Sequence, residues 1–152
     1  MNSSAIPKPS GAMTKILVVE DEANIREKLI TVLGFEGFET LGAADGRVGV
    51  ELARSEHPDL IVCDIMMPDL NGYGALRELR ADPSTAAIPI IFLTAAASRA
   101  DMRKGMELGA DDYITKPYTV EELLTAVRTR LGRQQTIQTT ATTPSDVNAS
   151  GT

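Results

Sequence analysis

The sequence predicts an α/β fold: a single doubly wound domain whose five-stranded parallel sheet is covered by helices on both faces. Three observations carry that expectation. Short, unbroken apolar runs at residues 15–19 (KILVV), 60–63 (LIVC) and 89–93 (PIIFL) suit strands buried on both sides. Segments of helical period separate them, so strand and helix alternate along the chain. The runs also end in acidic, hydroxyl or lysine residues, at the sheet edge where open α/β sheets hold their ligands.

Taken in order, residues 1–12 (MNSSAIPKPSGA) are small, polar and rich in Pro and Gly. They read as a disordered lead-in, residues 1–13, with Met13 a natural start. The first strand, 15–19, ends in Glu20-Asp21-Glu22. Ile25, Leu29, Val32 and Leu33 then recur at helical spacing, and Gly34 can terminate that helix. Residues 38–41 form a second strand. Asp45-Gly46 starts a helix running to about residue 55, with Val50 and Ala53 inward. The third strand, 60–63, stops at Asp64, and Pro68, Asn71 and Gly72 close the loop after it. A helix over 72–80 turns Leu76 and Leu79 inward, and the strand at 89–93 ends at Thr94. Residues 101–108 are helical and stopped by Gly109; residues 112–115 make a short fifth strand leading to Lys116-Pro117. Thr119 and Glu122 form a capping box, in which each side chain satisfies the other's backbone amide. Val120, Leu123, Leu124, Val127 and Leu131 line one face of the last helix, which Gly132 closes. Residues 133–152, rich in Thr, Ser, Gln and Asn, lack periodicity and read as a disordered tail or linker, leaving a domain over 14–132.

Composition narrows the function. A net charge of −6 argues against direct nucleic-acid binding, which needs a basic surface. The one cysteine, Cys63, lies inside an apolar strand and reads as a small buried hydrophobe. The one histidine, His57, has no Cys or His partners, so a zinc site is not expected. No stretch reaches membrane-spanning length and no signal-peptide pattern is present, so a cytoplasmic, membrane-free protein is expected.

In a doubly wound sheet the parallel strands end at one edge. Glu20, Asp21, Asp64, Thr94 and Lys116 therefore converge there. Carboxylates ~4 Å apart repel by about 4 kcal/mol at an effective dielectric of ~20, so the cluster calls for a cation. A hard, all-oxygen site that keeps several waters suits Mg²⁺. Lys116 and Thr94 add the charge and the hydroxyl donor that phosphoryl oxygens require, and the set points to an aspartyl phosphate. Singly, each residue has a plainer reading: Asp64 capping a turn, Glu20 and Asp21 as helix N-terminal charges, Thr94 an N-cap, Lys116 a surface charge.

The motifs VVEDE (18–22), CDIMMPDLNG (63–72), LTA (93–95) and GADDYITKP (109–117) resemble those of response-regulator receiver domains of two-component signalling, over about residues 14–132. The resemblance implies a flavodoxin-like sheet in the order 2-1-3-4-5 and Asp64 as phosphoacceptor. It further implies that Asp21 and Asp64 ligate Mg²⁺ (or Mn²⁺) directly, with Glu20 acting through water and the Met66 backbone carbonyl completing the protein ligands. Thr94 and Lys116 would contact the phosphoryl group, Lys116-Pro117 would be a cis peptide, and Tyr113 would be the switch aromatic; from the residues alone, Tyr113 reads equally as a packed strand aromatic. The partners implied are a sensor histidine kinase or phosphotransfer protein, and a downstream protein or covalently linked output domain.

Two departures stand out. The acidic pair is Glu-Asp where Asp-Asp is commoner, and Ala126 replaces an arginine that many receivers joined to DNA-binding domains carry. A homodimer through helix 4, strand 5 and helix 5 is therefore expected to be weak, and Ala126 gives no support for a transcription-factor output. Other functions fit less well. An aspartate-nucleophile phosphohydrolase would need a second carboxylate near position 66, which is Met. A flavin or nucleotide site lacks a glycine-rich loop after the first strand. A docking-only module would not need the intact acceptor site. The expected chemistry is thus self-phosphorylation and slow self-dephosphorylation at Asp64, not turnover of a separate substrate.

Overall fold

Strands and helices alternate throughout the computed structural model, which describes residues 13–67, 70–95 and 99–142, with side chains for all of these except 99–102 and 133–142. The elements are β1 (Lys15–Val19), α1 (Ala23–Phe35), β2 (Glu39–Ala43), α2 (Gly46–Glu56), β3 (Leu60–Asp64), α3 (Gly72–Ala81), β4 (Ile90–Thr94), α4 (Arg99–Leu108), β5 (Asp112–Thr115) and α5 (Val120–Thr142). All strand pairs are parallel and the order is β2-β1-β3-β4-β5, the flavodoxin-like order expected.

The period of two along each strand divides the core in half. Leu17, Val19, Ile61, Cys63, Ile90 and Phe92 face α2 and α3, where Val50, Ala53, Leu76 and Leu79 meet them. Their neighbours Ile16, Val18, Leu60, Val62, Ile91 and Leu93 face α1 and α5, against Leu29, Leu33, Leu123 and Val127. Cys63 is buried, as read from the sequence. Both faces being covered explains why the strands read as unbroken apolar runs. No helix among the described residues is long and apolar enough to cross a membrane.

Several boundaries differ from the sequence expectation. α1 passes through Gly34 to Phe35; the left-handed turn falls at Gly37 (φ 95°), and the Phe38 amide returns to the Leu33 carbonyl at 3.2 Å. That turn delays β2 to Glu39–Ala43. β3 and β4 each include the polar residue that ends the run, Asp64 and Thr94. α4 begins at Arg99, two residues early, and Gly109 (φ 103°) closes it as expected. The capping box of α5 is present, with Thr119 N–H on Glu122 Oε1 at 2.8 Å and Glu122 N–H on Thr119 Oγ1 at 3.0 Å. The expected stop at Gly132 is corrected: α5 continues to Thr142. A helix-interior glycine costs only about 1 kcal/mol relative to alanine, and the Arg and Gln that follow are good helix formers. Residues 1–12 and 143–152, expected to be disordered, lie outside the described residues, as does Pro68 in the loop after β3.

The sheet edge opposite the strand ends is locked by one arginine. Arg80 on α3 donates to the carbonyls of Ala86 (3.0 Å), Ile88 (2.7 Å) and Gly109 (2.8 Å), and pairs with Asp111 at 3.1 Å. Asp111 also accepts the Ile90 amide at 2.7 Å, and Arg130 of α5 donates to its carbonyl at 2.9 Å. Charge-assisted bonds of this kind contribute roughly 1.5–3 kcal/mol each where water is partly excluded.

Val127 and Leu131 are the last α5 residues seen packed on the core. Deleting residues 133–152 is therefore expected to leave the melting temperature within a few degrees of the full chain. Loss of a cooperative transition in the truncated protein would move the domain boundary beyond 132.

Candidate functional site

Register brings the strand-end residues together. Val19 pairs with Cys63 and Asp64 with Leu93, so Glu20 emerges beside Asp64, and Thr94 one residue beyond. The Lys116 amide donates to the Thr94 carbonyl at 2.7 Å, fixing the end of β5 against the end of β4. Glu20, Asp64 and Thr94 are buried, at 1%, 6% and 4% exposure, whereas Asp21 is open to solvent. One carboxylate oxygen from each of Glu20, Asp21 and Asp64 lies within 4.8 Å of the other two, and Lys116 Nζ stands 3.4 Å from Asp64 Oδ1. Five of the residues expected at this edge are thus at this edge.

Burial raises the pKa of Asp64 above the usual carboxylate range, with Lys116 opposing the rise. Glu20 is pushed from 4.5 up to about 7, chiefly by burial, with the Asp21 and Asp64 carboxylates adding and the Glu22 amide and Lys116 opposing. Glu20 Oε2 accepts that amide at 2.9 Å, while Oε1 is buried without a hydrogen-bond partner among the described residues. An orphaned oxygen in a cluster of three carboxylates fits a small hard cation, which would satisfy it through a bound water.

The remaining expected residues lie around this centre. Met66, two residues past Asp64, leaves its side chain 73% exposed. The Lys116–Pro117 peptide is cis, as the resemblance implies. Tyr113 is half-buried, its ring tilted 53° on Phe92 at 5.7 Å between centroids.

Three supporting residues escape the sequence reading. Gly72 folds back on the strand end: its amide meets the Ile65 carbonyl at 2.9 Å, and a Cβ there would lie 2.8 Å from both the Asp64 carbonyl oxygen and Ile65 Cα. The Asn-Gly pair signals a turn but not this approach to the acid's own backbone. Arg26 on α1 donates to the Glu20 carbonyl at 2.8 Å, holding the turn that carries both acids; nothing local in the sequence marks it. Tyr118 is half-buried after the cis proline, its phenol pKa raised by burial and by Glu20 and Asp64.

Comparisons with known proteins agree with this fold. Residues 16–128 match the family described as the response regulator receiver domain. A probable transcriptional regulator ycf27 from Cyanophora paradoxa is 48% identical over 130 residues, covering 84% of this chain and 53% of the relative. The DNA-binding response regulator MtrA of Mycobacterium leprae is 44% identical over 119 residues, 78% of this chain and 52% of that protein. The chain thus spans about half the length of these curated relatives. Among solved structures, the receiver domain of sensor histidine kinase PA1611 from Pseudomonas aeruginosa, with a magnesium ion in its active-site cleft, superposes with a TM-score of 0.74 at 34% identity. That likeness covers 80% of this chain and 99% of that one. Sequence and fold lead to the same conclusion: the chain belongs to the response-regulator receiver domain family of two-component systems.

Proposed function

We propose that this receiver is a phosphorylation-controlled switch that takes a phosphoryl group onto Asp64 from the phosphohistidine of a sensor kinase or phosphotransfer protein. The observation that carries it is one buried carboxylate facing a lysine ammonium at 3.4 Å, with two more carboxylates within 4.8 Å. An Asp64 carboxylate oxygen attacks phosphorus, the P–N bond breaks, and its electron pair stays on the imidazole nitrogen. Lys116 stabilises the charge on the transferred group and Thr94 offers its hydroxyl to a phosphoryl oxygen. Asp21 and Asp64, with Glu20 through water and the Met66 backbone carbonyl, would hold Mg²⁺ or Mn²⁺. Bound there, the ion supplies the neutralisation that lets phosphoryl oxygens approach three carboxylates.

Thr94 and Tyr113 then settle into a second packing, and the face of α4, β5 and α5 changes its partner; a few kcal/mol of differential interaction suffices. The names of the curated relatives favour a longer protein in which a DNA-binding output domain follows this one. With a net charge of −6, the receiver leaves nucleic-acid contact to that second module. The self-contained domain is assigned to residues 14–132 and its setting to the cytoplasm, where its kinase partner would present the phosphohistidine.

Phosphorylation is tested by intact-mass analysis after incubation with acetyl phosphate. Wild type is expected to gain one phosphoryl group in the presence of Mg²⁺ and none in chelator, and Asp64→Asn none in either. Undiminished labelling of Asp64→Asn would overturn the assignment.

The electrostatics give a second test, in chelator. Folded Glu20 holds its proton to about pH 7, whereas the unfolded chain releases it near 4.5. The stability from this group is therefore complete below pH 4.5 and is lost as pH rises through about 7. Glu20→Gln keeps the shape without the charge, so its melting temperature should gain on wild type across that window. A difference independent of pH would contradict the buried-acid reading.

A further inference from the structure

We propose that Gly105 on α4 is a positioning residue for Tyr113: its missing side chain forms the seat that fixes the tyrosine ring, and any larger residue there displaces it. The inference rests on the reading above, in which the placement of Tyr113 reports the phosphoryl state of Asp64.

One side of the ring is set by the core. Phe92 is fully buried, meets Tyr73 edge-on at 5.6 Å and carries Tyr113 at 5.7 Å, so three aromatics run in a row beneath α4. The other side is set by Gly105. A methyl group there would stand 2.5 Å from Tyr113 Cζ and 3.2 Å from Cε2, and closer still to the hydroxyl oxygen. Distances below 3.0 Å are essentially never seen for a real Cβ, so the phenol end occupies the space a side chain would need. Gly34, also inside a helix, has nothing within 4 Å of the same position, so the close approach is particular to Gly105.

Among the described residues, two contacts help to hold α4 over this row. Lys104 Nζ lies 4.8 Å from the centroid of Tyr73, and the Gly105 carbonyl accepts the Ala110 amide at 2.9 Å, tying the helix to the segment that enters β5. Helix and strand are thus joined on either side of the seat, and an added methyl meets least resistance by moving the ring. Glycine weakens a helix interior relative to alanine, so its presence here runs against helix preference and with the ring contact.

The test uses the full chain labelled with 3-fluorotyrosine, whose three tyrosines give three ¹⁹F resonances, that of Tyr113 assigned with Tyr113→Phe. In Gly105→Ala the Tyr113 resonance is expected to move and to gain a solvent isotope shift, while those of Tyr73 and Tyr118 stay. An unmoved Tyr113, or Tyr73 moving with it as α4 shifts bodily, would overturn the proposal. Thermal melts separate ring contact from helix preference. Gly105→Ala should raise the melting temperature in a Tyr113→Ala background and lower it in wild type; the same sign in both would also overturn it. With acetyl phosphate and Mg²⁺, Gly105→Ala should be labelled at Asp64 as fully as wild type, yet show no further Tyr113 shift where wild type shows one. Labelled wild type with a silent Tyr113 would refute the switch reading itself, and the seat would then stand or fall on the first two measurements.

Discussion

Parallel strands in one sheet must all end at the same edge, and the chemistry of this domain follows from what that edge brings together. Here it places Glu20 and Asp64, both buried, beside Asp21, so like charges lie within 4.8 Å of one another. Lys116 answers part of that charge, and Glu20 Oε1 keeps no protein partner among the described residues. Burial, with the neighbouring carboxylates adding to it, makes the cluster resist its own ionisation and shifts Glu20 to about 7. It persists because the strands beneath it are packed on both faces and cannot splay to relieve the repulsion.

Stability and reactivity are divided between the two ends of the sheet. At the end away from the acids, Arg80 and Asp111 join α3, the start of β4, the close of α4 and the start of β5, with Arg130 adding α5. Among the described residues there, Arg80 and Asp111 are met by opposite charge, carbonyls or an amide, while Arg130 Nε is buried without a partner. At the acidic end, the supports act on backbone instead: Arg26 on the Glu20 carbonyl, Gly72 against the Asp64 carbonyl, the Lys116 amide on Thr94. They fix where the side chains start; Glu20 Oε2 takes the Glu22 amide and Asp64 Oδ1 faces Lys116, while Glu20 Oε1 keeps no protein donor among the described residues, an arrangement suited to a site that must bind something else.

How far this was legible in the sequence depended on whether a signal was local. The apolar runs gave three strands, β1, β3 and β4, nearly to the residue, because burial on both faces leaves no alternation to confuse. The capping box at Thr119 and Glu122 and the stop at Gly109 were equally local and were read correctly. Gly34 and Gly132 misled, since a glycine permits a helix end without compelling one; Gly37 and the run after Gly132 decided the matter. The strand-end residues of the site were readable because topology alone gathers them. Arg26, Arg80 and the fit of Tyr113 against Gly105 were not, since each joins residues whose proximity only the folded chain creates.

The central claim, that a strained carboxylate cluster awaits a cation, is tested most directly by calorimetric titration of Mg²⁺ near pH 6.5 in buffers of different ionisation enthalpy. Wild type should show one site that releases protons on binding, since a cation and its bound water beside the cluster favour the ionised form of Glu20, which is largely protonated beforehand. Affinity should fall roughly tenfold or more, about 1.4 kcal/mol per decade, in Asp21→Ala, and proton release should disappear in Glu20→Gln. Equal affinity in wild type and Asp21→Ala, or heats independent of buffer in wild type, would contradict the account.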